Sequence, residues 1–408
     1  MNLLVYEHAS GGGFADERIP LDMLSEGYGM LRTLISDFKA RGYNTTTFLD
    51  SRLKKSNPPI EADKIISTSS RKELDKNLKK LSSLVDAVYV IGPESGQVLQ
   101  KLVEIVEACG GTCLNSPIDA IKKASNKVTI YKSLAKSGLR VPETVTMSLL
   151  EKVSHIKRIV SELGFPVVFK PIDGVGCSGL SIVRGSGQIA AAVDKIMRES
   201  SSKCFIVQKL IKGVSASVSL ISTGEKALPI TLNKQIVTLA PPHSQSNYNG
   251  GIVPFTHSLE KEALKAAQIA VNSLKGLKGY VGVDIVLTKE SPVVMEVNPR
   301  LTTSYIGLRK VVNFNPAQAL IDAVFKQKLP ENVRSLGCVF FSKVKVPCPN
   351  HLILSKIYKL DEVVSPPFPL LNNEPVYALL ASYSTRLKNA QATFYRAKKR
   401  LQGILSER

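Results

Sequence analysis

Three oxygen-bearing side chains, Asp284, Glu296 and Asn298, lie in two apolar segments separated by a turn-like stretch at residues 288–292. Side chains two positions apart on a strand share a face, and a hairpin centred near Glu290 would set Asp284 directly opposite Glu296, with Cβ atoms about 5 Å apart. Two carboxylates that close repel each other unless cations lie between them. Oxygen ligands without thiol or imidazole suit Mg²⁺ or Mn²⁺, which retain water and bridge substrate phosphates. The spacing therefore favours a metal site over an acidic pair that faces solvent.

A glycine-rich loop at residues 173–179 lies between two strand-like segments, residues 165–170 and 180–184. A strand follows the loop, which excludes a Rossmann fingerprint, and no Gly-Lys-Ser/Thr follows, which excludes a Walker loop. Glycine lets backbone N–H groups approach phosphate oxygens closely, and the ammonium of Lys170 can reach the same phosphates. We predict a phosphate-binding hairpin rather than an ordinary turn, with its contacts at Gly174, Gly176, Ser178 and Gly179.

A third segment with binding chemistry is the apolar strand at residues 204–208, which ends in a short turn. Such a strand end can offer backbone N–H and C=O groups to an adenine edge, although most segments of this kind only support structure. We expect residues 215–222 to form the strand that pairs with it beyond the turn.

The elements that must position these groups change character along the chain. Up to about residue 120, strands alternate with helices, which implies a parallel sheet with helices on both faces. Ser116 and Pro117 then provide a cap and a first position for a new helix. The predicted strands are residues 2–6, 44–49, 86–91 and 112–114, and the predicted helices are residues 21–40, 71–84 and 95–108.

From about residue 123, hairpin-like strand pairs surround the glycine loop, the turn after residue 208 and the acidic segment at residues 280–297, which is an α+β arrangement. Helices are predicted between them at residues 149–163, 188–198 and 259–274.

Near the end of the chain we expect strands at residues 337–346 and 353–358, followed by a basic helix that keeps Ala390, Phe394, Ala397 and Leu401 near one face. The expected fold is an α/β N-terminal domain at residues 1–122, an α+β domain at residues 123–330 and a small C-terminal α/β subdomain at residues 331–408.

Length and composition restrict the class of protein. The chain has 408 residues, which suits two or three domains. It carries 54 Lys and Arg against 34 Asp and Glu, but the basic residues are spread out and Trp is absent. We therefore expect the charge to attract small polyanions rather than nucleic acid. No apolar run can cross a bilayer, no export signal begins the chain, and six cysteines show no zinc spacing. A cytoplasmic protein with reduced thiols is expected.

The order of the segments, with a glycine-loop hairpin, a hinge and then Asp with Glu-x-Asn-Pro-Arg, resembles the ATP-grasp superfamily over about residues 124–329. Within it, the front domain resembles that of carboxylate–amine ligases that join glutamate to tyramine. The motifs that carry this closer resemblance are Tyr6-Glu7, Gly11-Gly12-Gly13, Ser25-Glu26-Gly27, Met30-Leu31-Arg32, Gly92-Pro93-Glu94-Ser95, Ser125-Asn126-Lys127 and Tyr248-Asn249-Gly250-Gly251.

The resemblance implies ATP and two Mg²⁺ or Mn²⁺ ions as cofactors, and it implies a role for each site residue. Lys127 and Lys170 would hold ATP phosphates, and a lid at about residues 145–212 would carry the glycine loop. The position that often holds a ribose-binding acid is Ser215 here, which leaves the ribose contact open. The other implied contacts are Gln208, Lys209 and Leu210 with adenine, Asp284, Glu296 and Asn298 with metal, and Arg300 with the reacting carboxylate or the acyl phosphate.

The implied reaction activates a carboxylate with ATP as an acyl phosphate, which an amine then attacks to give an amide. Its partners are a small-molecule acid and amine, without nucleic acid or membrane, and a homodimer is a candidate assembly. Two alternatives stay open: a superfamily ligase or carboxylase with another acceptor, and a nucleotide-binding regulatory protein. For the acceptor site, we consider Glu7 and Glu94 as receivers of the amine, and the stretch at residues 241–251, with Asn233 and Lys234, as its lining or as a plain surface loop.

Overall fold

The computed structural model describes residues 1–172, 174, 177–370 and 374–407. Gly176, one of the predicted phosphate contacts, lies outside the described residues. The described chain forms three β-sheets with helices packed against them. None of its helices is both long and apolar enough to traverse a bilayer.

The N-terminal part is a parallel sheet of four strands in the order β3-β2-β1-β4. Strands β1 and β4 are buried along nearly their whole length, as expected for a sheet covered by helices on both sides. This confirms the predicted α/β arrangement. The elements are β1 (Asn2–Glu7), α1 (Leu21–Lys39), β2 (Asn44–Asp50), α2 (Ser51–Lys54), β3 (Lys64–Thr68), α3 (Arg71–Ser82), β4 (Ala87–Ile91) and α4 (Val98–Ala108), with a single 3-10 turn at Ser95–Gln97 before α4.

Residues 144–209 build a second, antiparallel sheet in the order β5-β8-β6-β7, which we call the small unit. The glycine loop joins β6 to β7, which pair antiparallel as the sequence predicts. Helices α5 (Ile118–Ser125) and α6 (Ile130–Lys136) lead into this unit. Its elements are β5 (Thr144–Ser148), α7 (Val153–Leu163), β6 (Val167–Pro171), β7 (Ser181–Val183), α8 (Ile189–Glu199) and β8 (Cys204–Lys209), with a 3-10 turn at Ser186–Gln188.

The largest sheet has eight strands in the order β13-β12-β9-β10-β11-β14-β16-β15. Central and C-terminal segments of the chain share it, because β11 pairs with β14. Its elements in chain order are β9 (Val214–Thr223), β10 (Ala227–Thr238), β11 (Asn247–Val253), α9 (Glu260–Ser273), β12 (Lys278–Leu287), β13 (Pro292–Asn298), α10 (Tyr305–Val311), α11 (Pro316–Phe325), β14 (Cys338–Val346), α12 (His351–Tyr358), β15 (Val363–Ser365), β16 (Val376–Ser384) and α13 (Leu387–Ser406).

Several local predictions are wrong. Residues 112–114 do not form the predicted strand, because only Cys113 pairs there, in an isolated bridge with Val88. Residues 353–358 lie in a helix, because Asn350 caps it by accepting from the Ile353 N–H at 3.1 Å. Ser116 caps no helix, since its hydroxyl bonds both main-chain groups of Lys278. Strands β8 and β9 do not pair with each other, because β8 joins the small unit and β9 the largest sheet. Part of the predicted loop at residues 241–251 belongs to strand β11, although its Asn-rich and Gly-rich sequence favours a loop.

Those glycines have a packing reason. A Cβ atom at Gly251 would lie 2.3 Å from the carbonyl oxygen of Lys234, and one at Gly250 would lie 2.1 Å from that of Phe341. Strand β11 is therefore held between β10 and β14 at a distance that excludes larger residues.

A buried ion pair fixes the N-terminal part to the segment that follows β13. The Asp37 carboxylate on α1 accepts from Arg309 Nε at 2.8 Å and from the Tyr305 hydroxyl at 2.7 Å, both on α10. The Asp37 side chain is 7% exposed and that of Arg309 is 14% exposed. Helix α10 comes directly after the Glu-x-Asn-Pro-Arg motif, so this contact sets the position of the motif relative to the N-terminal sheet.

We expect the Asp37→Ala variant to lose roughly 3–5 kcal/mol of stability, because it leaves the Arg309 guanidinium buried without its partner. The urea midpoint, followed by circular dichroism, measures this loss. Glu162→Ala removes one partner of the exposed Arg158–Glu162 pair and should cost under about 1 kcal/mol. Equal shifts in the two variants would contradict the role given to Asp37.

Candidate active site

A cavity of about 370 Å³ lies where the three sheets meet. Its walls come from α1 and the segment after β4, from the glycine loop and β6, and from β8, β11, β12 and β13. Of the fourteen predicted site residues, the cavity lining includes all but Gly176, which is not described, and Gly179. The lining thus contains Lys127, Lys170, Gly174, Ser178, Gln208, Lys209, Leu210, Ser215, Asp284, Glu296, Asn298 and Arg300.

The acidic hairpin forms one wall of the cavity. Asp284 on β12 is directly opposite Glu296 on β13, and Asn298 is opposite Gly282. The predicted facing of the two carboxylates is confirmed. Removal from water and the charge of Glu296 raise the pKa of Asp284 to about 6. Hydrogen bonds from Asn298 Nδ2, at 3.3 Å, and Gln235 Nε2, at 2.9 Å, oppose that rise.

Two lysines from different elements approach the carboxylates. Lys127 lies between α5 and α6, and its Nζ is 3.4 Å from Glu296 Oε1 and 2.9 Å from the Gly174 carbonyl oxygen. Lys170 lies on β6, and its removal from water lowers the pKa of its ammonium despite the attraction of Glu296. Burial alone would raise the pKa of Glu296, but Lys127, Lys170 and Arg300 together lower it. The site therefore holds Glu296 as a carboxylate.

Arg300 is oriented by the N-terminal part of the chain. Its Nε donates to Glu94 Oε2 at 2.9 Å, and its Nη1 donates to the Leu301 carbonyl oxygen at 3.1 Å. Both side chains of the Arg300–Glu94 pair are largely buried, with 16% and 12% of their surfaces exposed. None of the described groups accepts a hydrogen bond from Arg300 Nη2, so this nitrogen can donate to a carboxylate or phosphoryl oxygen in the cavity.

The described part of the glycine loop is closely packed against β6. A Cβ atom at Gly174 would lie 2.5 Å from Pro171 Cγ, so this position has no room for a larger residue. Gly179 adopts a φ of +67°, and its N–H donates to Glu199 Oε2 at 2.7 Å. Gly179 therefore packs within the small unit and does not line the cavity. Ser178 lines the cavity.

The predicted adenine contacts differ in what they can offer. Gln208 Oε1 is buried and lacks a donor among the described residues, while its Nε2 donates to Thr144 Oγ1 at 3.0 Å. The Lys209 ammonium is turned away from the cavity and donates to the carbonyl oxygens of Leu163 and Gly164, at 2.8 and 2.9 Å.

The main-chain N–H groups of Lys209 and Leu210 are also occupied, by the carbonyl oxygens of Glu143 and Pro166. These two residues can therefore contribute only carbonyl oxygens or apolar contacts to a base. Ile211 lines the cavity as well, and no described acceptor binds its N–H. We had not predicted Ile211, although its place in the turn after the strand was a usable signal.

Two polar cavity residues lie on β10 and β11, and sequence reasoning missed the first of them, Gln235. Gln235 binds Asp284, and Tyr248 presents a phenol to the cavity without a hydrogen bond to any described residue. Gln235 belongs to no motif, and only the pairing of β10 with β9 and β11 brings it to the site.

Of the residues considered for the acceptor site, Glu7 and Glu94 line the cavity, whereas Asn233 and Lys234 do not. The carboxylate of Glu7 is used up locally, because it accepts from Ala9 N, Ser10 N and Ser10 Oγ at 2.9, 2.7 and 2.6 Å. Asn233 is buried and bonded to Ser219 Oγ. Of the stretch at residues 241–251, only Tyr248 lines the cavity.

The donor set fits a divalent cation bound together with phosphate. In the described residues no group of three or more His, Cys, Asp or Glu side chains could hold a metal by itself. The site offers two carboxylates and one amide, the incomplete oxygen set that leaves coordination positions for water and phosphate. Removal from water and the charge of Glu296 raise the pKa of Asp284 in spite of Arg300, and a divalent cation between the two carboxylates would offset their repulsion. The unpartnered Gln208 Oε1 is, for its part, an acceptor suited to an exocyclic amino group.

Comparison with known proteins agrees with this arrangement. Residues 124–304 match the ATP-grasp domain family, and residues 43–121 match the pre ATP-grasp 3 domain family. The chain is 28% identical over 341 residues to tyramine–L-glutamate ligase of Methanocaldococcus jannaschii, a match that covers 81% of this chain and 92% of the relative.

Two solved structures have the same fold. An ATP-grasp superfamily protein from Archaeoglobus fulgidus superposes with a TM-score of 0.63 and 24% identity, over 93% of this chain and 99% of the other. Biotin carboxylase from Campylobacter jejuni superposes with a TM-score of 0.70 and 14% identity, over 98% and 90%. Both domain matches follow the order of the sheets, and the first encloses the acidic hairpin and its lysines, so residues 124–304 of this chain are an ATP-grasp domain preceded by a pre ATP-grasp domain.

Proposed function

We propose that this protein is an ATP-dependent carboxylate–amine ligase that forms an amide through an acyl phosphate. The observation that carries the proposal is the facing pair Asp284–Glu296, with Lys127, Lys170 and Arg300 around it in one cavity. Among its described residues, this cavity brings together neither an acid–base pair for proton abstraction nor a nucleophilic triad. It assembles opposite charges around the place where a phosphoryl group would be transferred.

The reaction needs this charge arrangement because a carboxylate is a poor electrophile. An oxygen of the substrate carboxylate attacks the γ-phosphorus of ATP, the bond to the bridging oxygen breaks, and ADP leaves. The amine nitrogen then attacks the acyl carbon, phosphate leaves with the bonding electrons, and the nitrogen loses a proton. Lys127 and Lys170 would neutralise charge on the phosphates, and Arg300 Nη2 would orient the carboxylate.

ATP and a divalent cation are the cofactors of this site. Asp284, Glu296 and Asn298 would hold Mg²⁺ or Mn²⁺, and we propose two ions because two carboxylates share the site. When bound there, the metal would neutralise negative charge on the phosphate oxygens. Gln208 would accept from the adenine amino group, and Ile211 is added here as a donor to the ring. Ser215 lies in the cavity, where a hydroxyl can meet the ribose by a neutral hydrogen bond.

For the substrates we propose glutamate as the acid and tyramine as the amine. The support is the similarity to a relative of that name along most of both chains. The cavity extends from the acidic hairpin to apolar residues of the N-terminal part, among them Met23, Met30 and Ile91, which suits an aromatic body. The cytoplasmic location and the homodimer stay predictions from the sequence.

The substrate proposal is tested by measuring phosphate release over pairs of acids and amines, followed by mass spectrometry of the product. Glutamate with tyramine should give ADP, phosphate and one amide in equal amounts. ADP release that depends on bicarbonate would indicate a carboxylase instead. Tight ATP binding without turnover across the whole panel would indicate a regulatory protein.

The metal assignment predicts that Glu296→Gln lowers turnover at least about 10²-fold, because the transferring phosphoryl group loses charge stabilisation. Glu290→Gln is the matched control, since Glu290 lies at the turn of the same hairpin with 80% of its side chain exposed. The control should keep normal activity. Near-normal turnover of Glu296→Gln would remove the basis for the metal site.

The role of Arg300 predicts that Arg300→Lys lowers kcat/KM for the acid by roughly 10–100-fold, because an ammonium keeps the charge but loses the planar fork that Glu94 orients. The KM for ATP should change little. Arg140→Lys, at an exposed arginine that pairs with Glu290 at the turn of the hairpin, serves as control. A rise confined to the KM for ATP would assign Arg300 to the nucleotide instead.

A further inference from the structure

A buried lysine outside the reaction site joins the small unit to the largest sheet. Lys195 lies on α8, and only 1% of its surface is exposed. Its Nζ donates to the carbonyl oxygen of Leu180 at 3.2 Å and to that of Ser244 at 2.8 Å. Leu180 belongs to the small unit, whereas Ser244 belongs to the segment at residues 239–246 between β10 and β11, which we call the junction loop. A buried ammonium is costly unless hydrogen bonds satisfy it, and here both acceptors are main-chain groups, one on each side.

Backbone contacts run along the same junction. The Ile182 N–H on β7 donates to the Ala240 carbonyl oxygen at 2.9 Å, so the junction loop covers the edge strand of the small unit. The Ser246 hydroxyl donates to the Leu180 carbonyl oxygen at 3.0 Å and accepts from the Ala240 N–H at 2.9 Å. Leu180 therefore receives hydrogen bonds from both Lys195 and Ser246.

A carboxylate on α8 extends the junction to the end of the glycine loop. Glu199 Oε2 accepts from the Gly179 N–H at 2.7 Å, and Glu199 Oε1 accepts from Gln245 Nε2 at 3.1 Å. One side chain thus holds the end of the glycine loop and the junction loop together.

The junction loop is also continuous with the wall of the active-site cavity. Val237, which precedes it, Leu239, which is its first residue, and Tyr248, which follows it, all line the cavity. Gln235 on the same strand donates to Asp284 Oδ1 at 2.9 Å. The segment that receives the small unit is therefore built into the site where the acyl phosphate would form.

We propose that Lys195 is a positioning residue that holds the small unit closed against the junction loop, so that water is kept from the acyl phosphate until the amine attacks. This inference rests on the proposed ligase function. If water reaches the acyl phosphate, its oxygen attacks the acyl carbon and phosphate leaves. The acid is regenerated, and the net reaction is hydrolysis of ATP to ADP and phosphate.

The test uses Lys195→Met, which keeps the length of the side chain and removes the ammonium. Hydrogen exchange of the amides at residues 179–183 should become at least about tenfold faster, because two charge-assisted hydrogen bonds that close the junction are lost. In the reaction with glutamate and tyramine, the amount of ADP formed per amide should rise. The KM for ATP should change by a smaller factor than the amount of ADP formed per amide, because Lys195 does not line the cavity.

Two further variants keep the test decisive. Lys157→Met removes an exposed lysine on α7 of the same unit and should leave both measurements unchanged. Ser246→Ala breaks the junction from the other side, and it should reproduce the faster exchange and the raised ratio even if Lys195→Met folds poorly. Unchanged exchange and an unchanged ratio in both junction variants would overturn the inference. A wild-type protein that makes no amide would instead overturn the ligase function, while hydrogen exchange would still decide whether Lys195 holds the junction.

Discussion

Asp284 and Glu296 face each other in the wall of the cavity, and like charges at that separation repel more strongly inside a protein than in bulk solvent. Cationic and amide groups on several sides of the pair offset this repulsion. Lys127, Lys170 and Arg300 keep Glu296 ionised, and the amides of Asn298 and Gln235 donate to Asp284. These groups come from the small unit, from the largest sheet with the residues after β13, and from the segment between α5 and α6. The position of the small unit relative to the largest sheet is thus tied to one pair of carboxylates.

The same requirement explains why the N-terminal part belongs to the site. Glu94 fixes the guanidinium of Arg300, and Asp37 fixes the helix that follows it through Arg309 and Tyr305. Both contacts use a charge-assisted hydrogen bond with largely buried partners, which sets an orientation and a distance together. The arginine proposed to meet the reacting carboxylate is therefore positioned by the N-terminal part of the chain, whereas the proposed metal ligands lie on the largest sheet.

The sequence predicts the parts of this site that depend on short-range spacing. The facing of Asp284 and Glu296 follows from the two-residue period of strands and from a turn that could be recognised, and the hairpin around the glycine loop follows in the same way. Gln235 could not be found like this, because the pairing of β10 with β9 brings it to the site. The helix at His351–Tyr358 was missed because its apolar residues also suit a strand, and its Asn350 cap was overlooked. The occupied N–H groups of Lys209 and Leu210 depend on partners that only the folded sheet supplies.

Strand β11 lies in the interior of the largest sheet only because β14 covers its outer side. Its Asn-rich and Gly-rich sequence is matched to close backbone neighbours on both sides. A chain cut before β14 would leave a row of unpaired N–H and C=O groups beside the cavity, an open edge that invites pairing with a strand of another molecule. The C-terminal segment thus completes the fold and also covers a strand edge through which the protein could self-associate.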